Sequence, residues 1–210
     1  MNVEHNEIIR NYQRELEYII ENMTERSRLL LHCCCAPCSS YVTEYLHKYF
    51  DITVFFYNPN ITGEKEYIKR KEELKRYLRE APYGNGIVFL DGDYEPERFA
   101  DISRGLENEP ERGRRCTECY RLRLEKTARV ARDGGYDYFC TTLSISPHKD
   151  AERLMRIGEE LAGICGVRYL PSDFKKRNGY KRSIELSKEY GLYRQDYCGC
   201  EFSIKNKKNE

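Results

Sequence analysis

Short apolar segments alternate with longer amphipathic segments along most of this 210-residue chain, which limits the folds open to it. Five segments have the length and the β-branched or aromatic content of strands: 28–32, 52–57, 87–90, 138–143 and 167–170. Helical spacing of apolar residues covers 39–50, 64–80, 96–106, 117–132, 150–165 and 180–190. The alternation predicts an α/β fold, with a mainly parallel sheet covered by helices on both faces.

The length suits one domain with a sizeable core. We expect an N-terminal helical extension in residues 1–27, an α/β domain in 28–203 and a polar tail in 204–210 that frays. Charged residues interrupt the first 28 positions, which excludes a secretory signal, and no run approaches the roughly 20 apolar residues of a membrane helix. We therefore expect a cytoplasmic protein. Because structural disulfides are rare in the cytosol, its 10 cysteines indicate metal or redox chemistry.

Four of these cysteines lie in the segment HCCCAPC (32–38), directly after the first predicted strand. In open parallel sheets ligands bind at the carboxyl ends of the strands, so this segment is the first candidate site. Cys35 and Cys38 have the C-x-x-C spacing of a thiol–disulfide redox pair. Cys33 and Cys34 weaken that interpretation, because extra thiols next to a dithiol can trap mixed disulfides. A set of metal ligands is the main alternative.

A second C-x-x-C pair, Cys116 and Cys119, opens a predicted helix in RRCTECYRLR. The positive end of that helix and its arginines favour thiolates that can bind a metal or a cluster. The two pairs are about 80 residues apart, which is longer than in a zinc ribbon. The spacing therefore favours an iron–sulfur cluster, although zinc stays open.

The remaining cysteines fall into two kinds. Cys198 and Cys200, in YCGCEF, predict either a strained, redox-active disulfide or two ligands of one metal. Cys140 lies in a predicted strand and Cys165 at a helix end, and we expect both to be small buried side chains.

Several motifs together resemble the QueH-type epoxyqueuosine reductases over about residues 28–203. They are HCCCAPC, FYNPNI (56–61), RRCTECYRLRLEKTA (114–128), TTLSISPHKD (141–150) and GYKRSIELSKEYGLYRQDYCGCEFS (179–203). The resemblance implies a HUP-like (adenine-nucleotide hydrolase-like) α/β domain that reduces epoxyqueuosine to queuosine at the wobble position of tRNA, the last step of queuosine biosynthesis. It also implies a 4Fe–4S cluster and a further iron ion. The SGGxDS loop of ATP-using relatives is missing, so ATP use is not expected.

Residue by residue, the resemblance assigns the cluster to Cys34, Cys35, Cys116 and Cys119. It assigns the catalytic redox pair to Cys198 and Cys200. Cys38 is a candidate ligand of the further iron, because the family also has Asp at that position, while Cys33 is structural. Two alternative functions stay open: a thiol–disulfide oxidoreductase that uses Cys35 and Cys38, and a zinc-stabilised RNA-binding module.

The implied partners are a tRNA that carries epoxyqueuosine in its anticodon loop and an unidentified electron donor. Candidate phosphate contacts form three basic clusters: Lys65, Lys69, Arg70, Lys71 and Arg76; Arg112, Arg114 and Arg115; and Lys175, Lys176, Arg177, Lys181 and Arg182. Tyr57, Asn58 and Asn60 are expected to line the substrate pocket. The candidate proton donors are Tyr197, Asp196 and His148.

Overall fold

A five-stranded sheet forms the centre of the molecule, and all of its strands run parallel. The computed structural model describes residues 10–208, with side chains as far as Ile204. The strands are β1 (Ser27–His32), β2 (Phe50–Phe56), β3 (Val88–Asp91), β4 (Tyr138–Thr141) and β5 (Arg168–Tyr169), in the order β3-β2-β1-β4-β5. The predicted α/β fold with a parallel sheet is confirmed.

Eight helices accompany the sheet in the described part of the chain. They are α1 (Tyr12–Glu21), α2 (Ala36–Leu46), α3 (Glu64–Glu80), α4 (Pro96–Ser103), α5 (Arg114–Asp133), α6 (Ala151–Cys165), α7 (Gly179–Glu189) and α8 (Glu201–Lys208). None of the helices in residues 10–208 is both long and apolar enough to cross a membrane.

Three predicted boundaries were wrong in ways that affect the site. Helix α2 begins at Ala36 instead of residue 39, because Pro37 fits the first turn of a helix, where its missing N–H is not needed. Helix α5 begins at Arg114 instead of residue 117, so its first turn includes Cys116. Residues 204–208 of the predicted polar tail continue as the last part of α8. The first nine residues of the predicted N-terminal helical extension (1–27) lie outside the described residues.

Two apolar layers enclose the sheet, and β1 contributes to both of them. Leu29 and Leu31 face the layer formed with α1, α2 and α3, whereas Leu30 faces the layer formed with α5 and α6. This alternation follows from the two-residue period of a strand. All three side chains are fully buried, and each burial stabilises the fold by about 2 kcal/mol.

The chain reverses its winding direction at β1, which lies between β2 and β4. Ligands of open parallel sheets bind at such a switch point, outside the carboxyl ends of the strands. His32 joins the three strand ends there: its Nε2–H donates to the Tyr57 carbonyl (3.0 Å), and its Nδ1 accepts from Thr141 Oγ1 (2.9 Å). Burial lowers the pKa of His32 to about 4, so the ring is neutral and suits this pattern.

Candidate metal and redox site

The first cysteine group (Cys34, Cys35 and Cys38) lies in the loop after β1 and the first turn of α2. Cys33 still pairs with β2, since its N–H donates to the Phe55 carbonyl (2.9 Å), and Asn58 Nδ2 donates to the Cys33 carbonyl (2.9 Å). These bonds fix the point at which the chain leaves the sheet. Beyond it, the backbone turns so that the three Sγ atoms lie within 4.8 Å of one another.

The electrostatics of the first cysteine group favour a thiolate at Cys35. The neighbouring thiols of Cys34 and Cys38 act as hydrogen-bond donors to its sulfur and hold the pKa of Cys35 well below the ordinary thiol value, and the charge of Arg70 adds to this. Cys35 also caps α2, whose positive end stabilises an anion. Thiolates are the metal-binding form of cysteine, so the group can hold a metal or part of a cluster.

The second cysteine group consists of Cys116 and Cys119, at the start of α5, with Cys198 and Cys200. Cys116 Sγ accepts a hydrogen bond from the Arg112 N–H (3.3 Å). Cys119 and Cys200 share a small apolar cluster, in which burial raises the pKa of Cys119 to about 12. All ten cysteines are free thiols. Among the described residues, only the first cysteine group gathers three potential metal ligands within 4.8 Å, so Cys116 and Cys119 stand outside that set.

Two buried arginines lie next to these groups. Arg123 is 1% exposed, and the charges of Cys119, Cys198 and Cys34 all act on its guanidinium. Arg70 is 2% exposed, pairs with Glu66 (2.7 Å) and donates from Nη1 to the Cys198 carbonyl (3.2 Å).

One guanidinium nitrogen of each arginine, Arg70 Nη2 and Arg123 Nη2, is buried without a hydrogen-bond partner. Burying an unpaired polar group costs about 1–3 kcal/mol, and more for a charged one. An anionic group between the arginines would offset that cost. A cluster ligated by thiolates is anionic, so these residues fit an iron–sulfur cluster.

A cavity of about 570 Å³ opens beside the first cysteine group. Its walls come from the start of α2, the loop after β4 and the C-terminal segment, by which we mean residues 192–200. The predicted site residues that line it are Cys34, Cys35, Cys38, Cys198, His148, Asp196 and Tyr197. Cys116, Cys119 and Cys200 are not in its wall. Tyr57, Asn58 and Asn60 are buried instead of lining it, so that expectation was wrong.

The C-terminal segment is held against α3. The Thr62 N–H donates to the Gly199 carbonyl (2.9 Å), and the Tyr193 N–H donates to Glu73 Oε1 (2.6 Å). Gly199 has a φ of +114°, and a Cβ at this position would lie 2.9 Å from Arg70 Nη1. This positive φ favours glycine between the two cysteines, and a side chain there would also push against the end of Arg70.

The basic clusters predicted to contact phosphate are mostly engaged within the protein. On α3, Arg70 pairs with Glu66, Lys71 with Asp91 and Arg76 with Glu73, and the Lys69 ammonium lies 3.4 Å from the Tyr193 ring centroid. Arg115 is buried and donates to the Leu106 carbonyl (2.7 Å). Lys175, Arg177 and Arg182 pair with Asp173, Glu17 and Glu44. These contacts assign most of the clusters a structural role.

Arg112 differs from most of the predicted cations, because it contacts His148, a residue of the cavity wall. It has a φ of +69°, a strained conformation for a residue with a side chain. Arg153 Nη1 holds it by donating to its carbonyl (2.6 Å), and Arg112 Nη2 lies 3.3 Å from His148 Nδ1. The strain thus occurs beside both Cys116 and the cavity.

The sequence analysis missed three cations of the cavity: Arg123, Lys149 and Arg194. Lys149 had a usable signal, because it lies just beyond the carboxyl end of a predicted strand. Arg123 had none, since an arginine on a charged helix is ordinarily exposed. The expectation that Cys140 and Cys165 are buried is confirmed.

Comparisons with known proteins match most of this chain to one family. A family model described as "Epoxyqueuosine reductase QueH" matches residues 29–206. An epoxyqueuosine reductase QueH of Streptococcus pyogenes is 44% identical over 200 residues, covering 93% of this chain and 78% of the relative.

Two further relatives with the same name extend the match. The Staphylococcus epidermidis protein is 42% identical over 200 residues, which cover 92% of this chain and 84% of that protein. The Thermotoga maritima protein is 35% identical over 179 residues, which cover 84% of this chain and 90% of that protein.

Proposed function

The chain belongs to the QueH family of epoxyqueuosine reductases, and we propose that it reduces epoxyqueuosine to queuosine at the wobble position of tRNA with an iron–sulfur cluster and a cysteine pair. The family makes it an oxidoreductase. The observation that carries the finer proposal is the set of cysteines and unpartnered buried arginines around one cavity at the switch point of the sheet.

We assign the 4Fe–4S cluster to Cys34 and Cys35 of the first cysteine group and to Cys116 and Cys119 at the start of α5. Cys38, which lines the cavity, would bind the further iron. Arg123 supports a shared site, because its charge interacts with both Cys34 and Cys119. When bound, the cluster would supply electrons, and the further iron would supply a Lewis acid for the epoxide oxygen.

The conversion of an epoxide to an alkene takes up two electrons and two protons and releases one water molecule. Tyr197 is placed to hold a proton for this step, since it lines the cavity and burial raises its pKa above the ordinary tyrosine value. It therefore stays protonated at neutral pH. Asp196 and His148 line the same cavity as further candidate donors. Cys198 and Cys200 would carry reducing equivalents by cycling between dithiol and disulfide.

The cavity rim would contact the anticodon loop. Arg194 is exposed, lines the cavity, and donates to the Tyr180 hydroxyl from Nη2 (3.3 Å). An arginine beside a tyrosine suits an unpaired nucleotide, whose base stacks and whose phosphate is anionic. His148 lines the cavity as well, and Arg112 Nη2 lies 3.3 Å from its Nδ1. Binding that rests on such contacts weakens steeply with salt, and a flat salt response would contradict this interface.

The decisive experiment uses protein purified without oxygen. Iron, zinc and acid-labile sulfide are measured per chain, and the protein is then incubated with epoxyqueuosine-containing tRNA and a strong reductant. We expect about four or five iron and four sulfide per chain, and queuosine in the digested tRNA. Zinc without sulfide after reconstitution would support the zinc-stabilised RNA-binding module instead. A metal-free protein with rapidly exchanging Cys35 and Cys38 would support the thiol–disulfide oxidoreductase.

A further inference from the structure

Lys149 is the cation of the cavity whose partner is a single cysteine. Its Nζ lies 3.0 Å from Cys198 Sγ, at hydrogen-bond distance. Its side chain is partly buried in the cavity wall, where the Cys198 sulfur is its hydrogen-bond partner. A hydrogen-bond partner of this kind stabilises an ammonium that is partly removed from water.

The lysine remains charged in this position. Burial lowers its pKa, but the nearby sulfur of Cys198 and the Tyr120 hydroxyl raise it more, so the net shift is upward. The contact thus distinguishes Cys198 from the other member of its pair.

Cys200 has the opposite environment. It is 8% exposed and packs with Phe99, Cys119 and Leu122 on the side away from the cavity. Its carbonyl accepts from the Ile204 N–H at the start of α8, which fixes its backbone. The pair therefore has one sulfur that faces the cavity beside a cation and one sulfur in an apolar cluster.

We propose that Lys149 is a positioning residue that fixes the Cys198 sulfur at the cavity wall, and that Cys198 is the sulfur of the pair that exchanges with reductants. This inference rests on the proposed role of Cys198 and Cys200 as a redox pair. It adds the direction of exchange and the residue that sets it.

The reductant is a dithiol, either a small molecule or a protein. One of its thiolates attacks Cys198 Sγ of the oxidised pair, the Cys198–Cys200 bond breaks, and Cys200 leaves with the electron pair and takes up a proton. The second thiol of the reductant loses its proton, attacks the first reductant sulfur and releases Cys198 as a thiolate beside Lys149. Two electrons pass from the dithiol, which becomes a disulfide, to the cysteine pair.

The test measures alkylation rates of the two cysteines by iodoacetamide, in reduced, iron-loaded protein under argon. Trypsin releases residues 195–205 as one peptide that contains both Cys198 and Cys200 and no other cysteine, and tandem mass spectrometry separates the two sites. We expect Cys198 to react at least about tenfold faster than Cys200 at pH 7. In Lys149→Gln the Cys198 rate should fall about tenfold, with the Cys200 rate unchanged.

Matched variants separate charge from structure. Lys149→Arg keeps a cation and should retain most of the Cys198 rate. Lys48→Gln removes an exposed lysine just before β2, at the amino ends of the strands and away from the cavity, and should change neither rate. Lys149→Met keeps the length of the buried side chain and provides the same readout if the glutamine variant is unstable in thermal melting.

Equal rates for the two cysteines in the natural chain, or a Cys198 rate that no Lys149 variant changes, would overturn the inference. Neither readout uses the tRNA substrate. Normal reduction of epoxyqueuosine together with equal rates would therefore count against the inference alone. Normal rate asymmetry in a protein that binds iron but does not reduce epoxyqueuosine would count against the proposed function.

Discussion

Cys35 and Cys38 have the same spacing as Cys116 and Cys119, and both pairs lie at the start of a helix, but the fold places them in different environments. The first pair follows the central strand, and a third thiol, from Cys34, joins it within 4.8 Å. The second pair follows a loop, and its neighbours are an apolar cluster and the C-terminal segment. The spacing of a motif determines how its own residues are placed relative to each other. The element that precedes the motif determines which other residues surround them.

The two environments also differ in how negative charge is compensated. The first cysteine group has the positive end of α2 and the charge of Arg70. The second cysteine group depends on side chains that other segments bring to it, such as Lys149 beside Cys198. Arg123 lies between the groups and interacts with cysteines of both. If both groups ligate one cluster, the loss of a ligand from either group should have the same effect on metal binding.

Removal of one ligand from either group should have the largest effect. We expect Cys35→Ala and Cys116→Ala each to lose the visible absorbance of the cluster and nearly all bound iron and sulfide, because both would ligate one cluster. Iron and sulfide per chain after anaerobic reconstitution measure this. Cys165→Ala, which removes a buried cysteine at the far end of α6, is the control and should keep the full content.

Unequal iron and sulfide contents in the two variants would show that the two cysteine pairs do not contribute equally to the cluster. Full iron and sulfide in Cys116→Ala, with loss in Cys35→Ala, would mean that the first cysteine group binds metal without α5. The assignment of Cys116 to the cluster would then be wrong. Cys38→Ala should lose only about one iron in five and none of the sulfide, because Cys38 is assigned to the further iron.

Arg123→Met should have opposite effects on the metal-free and the loaded protein. Without metal, Arg123 is a buried cation with an unpartnered Nη2, so an apolar side chain of similar length should raise the free energy of unfolding by about 1–2 kcal/mol. With the cluster bound, the same change removes a compensating charge, and about half or more of the iron should be lost during gel filtration. Urea unfolding and iron content measure the two effects. Arg129→Met, on an exposed part of α5, should change neither. A loss of stability in the metal-free variant would contradict this role.

Much of the fold was predictable because local patterns and global packing agree. The apolar strands and the 17-residue helix α3, whose predicted limits are the observed ones, follow from periodicity alone. The start of α2 was missed because a proline normally indicates a break, although it is tolerated in a first turn. The helical tail was missed because its sequence is polar. A helix that cannot bury a wide apolar face has no strong periodic signal.

The part of the site that lies within one segment could be predicted from the sequence. The part that is formed by distant segments could not. Cys34, Cys35 and Cys38 are neighbours in the sequence, so their grouping needs only a strand, a loop and a helix. Arg70 was expected to be a phosphate contact, but the C-terminal segment covers it, and it donates to the Cys198 carbonyl. That contact spans 128 positions, and no local pattern encodes it.

Gly199→Ala should affect the second cysteine group and spare the first. A side chain at a φ of +114° and 2.9 Å from Arg70 Nη1 should displace the C-terminal segment at a cost of about 1–3 kcal/mol. Tryptic cleavage after the exposed Arg194 should become about fivefold faster or more. Gly191→Ala is the matched control, because Gly191 also has a positive φ, of +54°, but has open space at its Cβ position. Equal cleavage in both variants would show that backbone strain alone explains the effect.

Glu73→Gln should produce the smallest change and tests whether α3 holds the C-terminal segment by charge. Glu73 accepts from Arg76 Nε (2.9 Å) and from the Tyr193 N–H (2.6 Å), and these bonds, with that to Arg76 first, lower the pKa of its carboxyl below 4.5. The unfolded chain therefore binds this proton more readily. The stabilisation is complete above the unfolded value and is lost as the pH falls through the lower folded value.

At pH 7 we expect the glutamine to reduce the free energy of unfolding by about 1 kcal/mol, because a neutral amide accepts these hydrogen bonds less strongly than a carboxylate. The difference should shrink as the pH falls below about 4.5. Urea unfolding at a series of pH values measures it, and Glu72→Gln, an exposed change on the same helix, is the control. A difference that stays constant with pH would mean that Glu73 acts through packing. The C-terminal segment would then rest on its backbone hydrogen bonds and on the ring contact of Lys69, and the second cysteine group would not depend on the ionisation of α3.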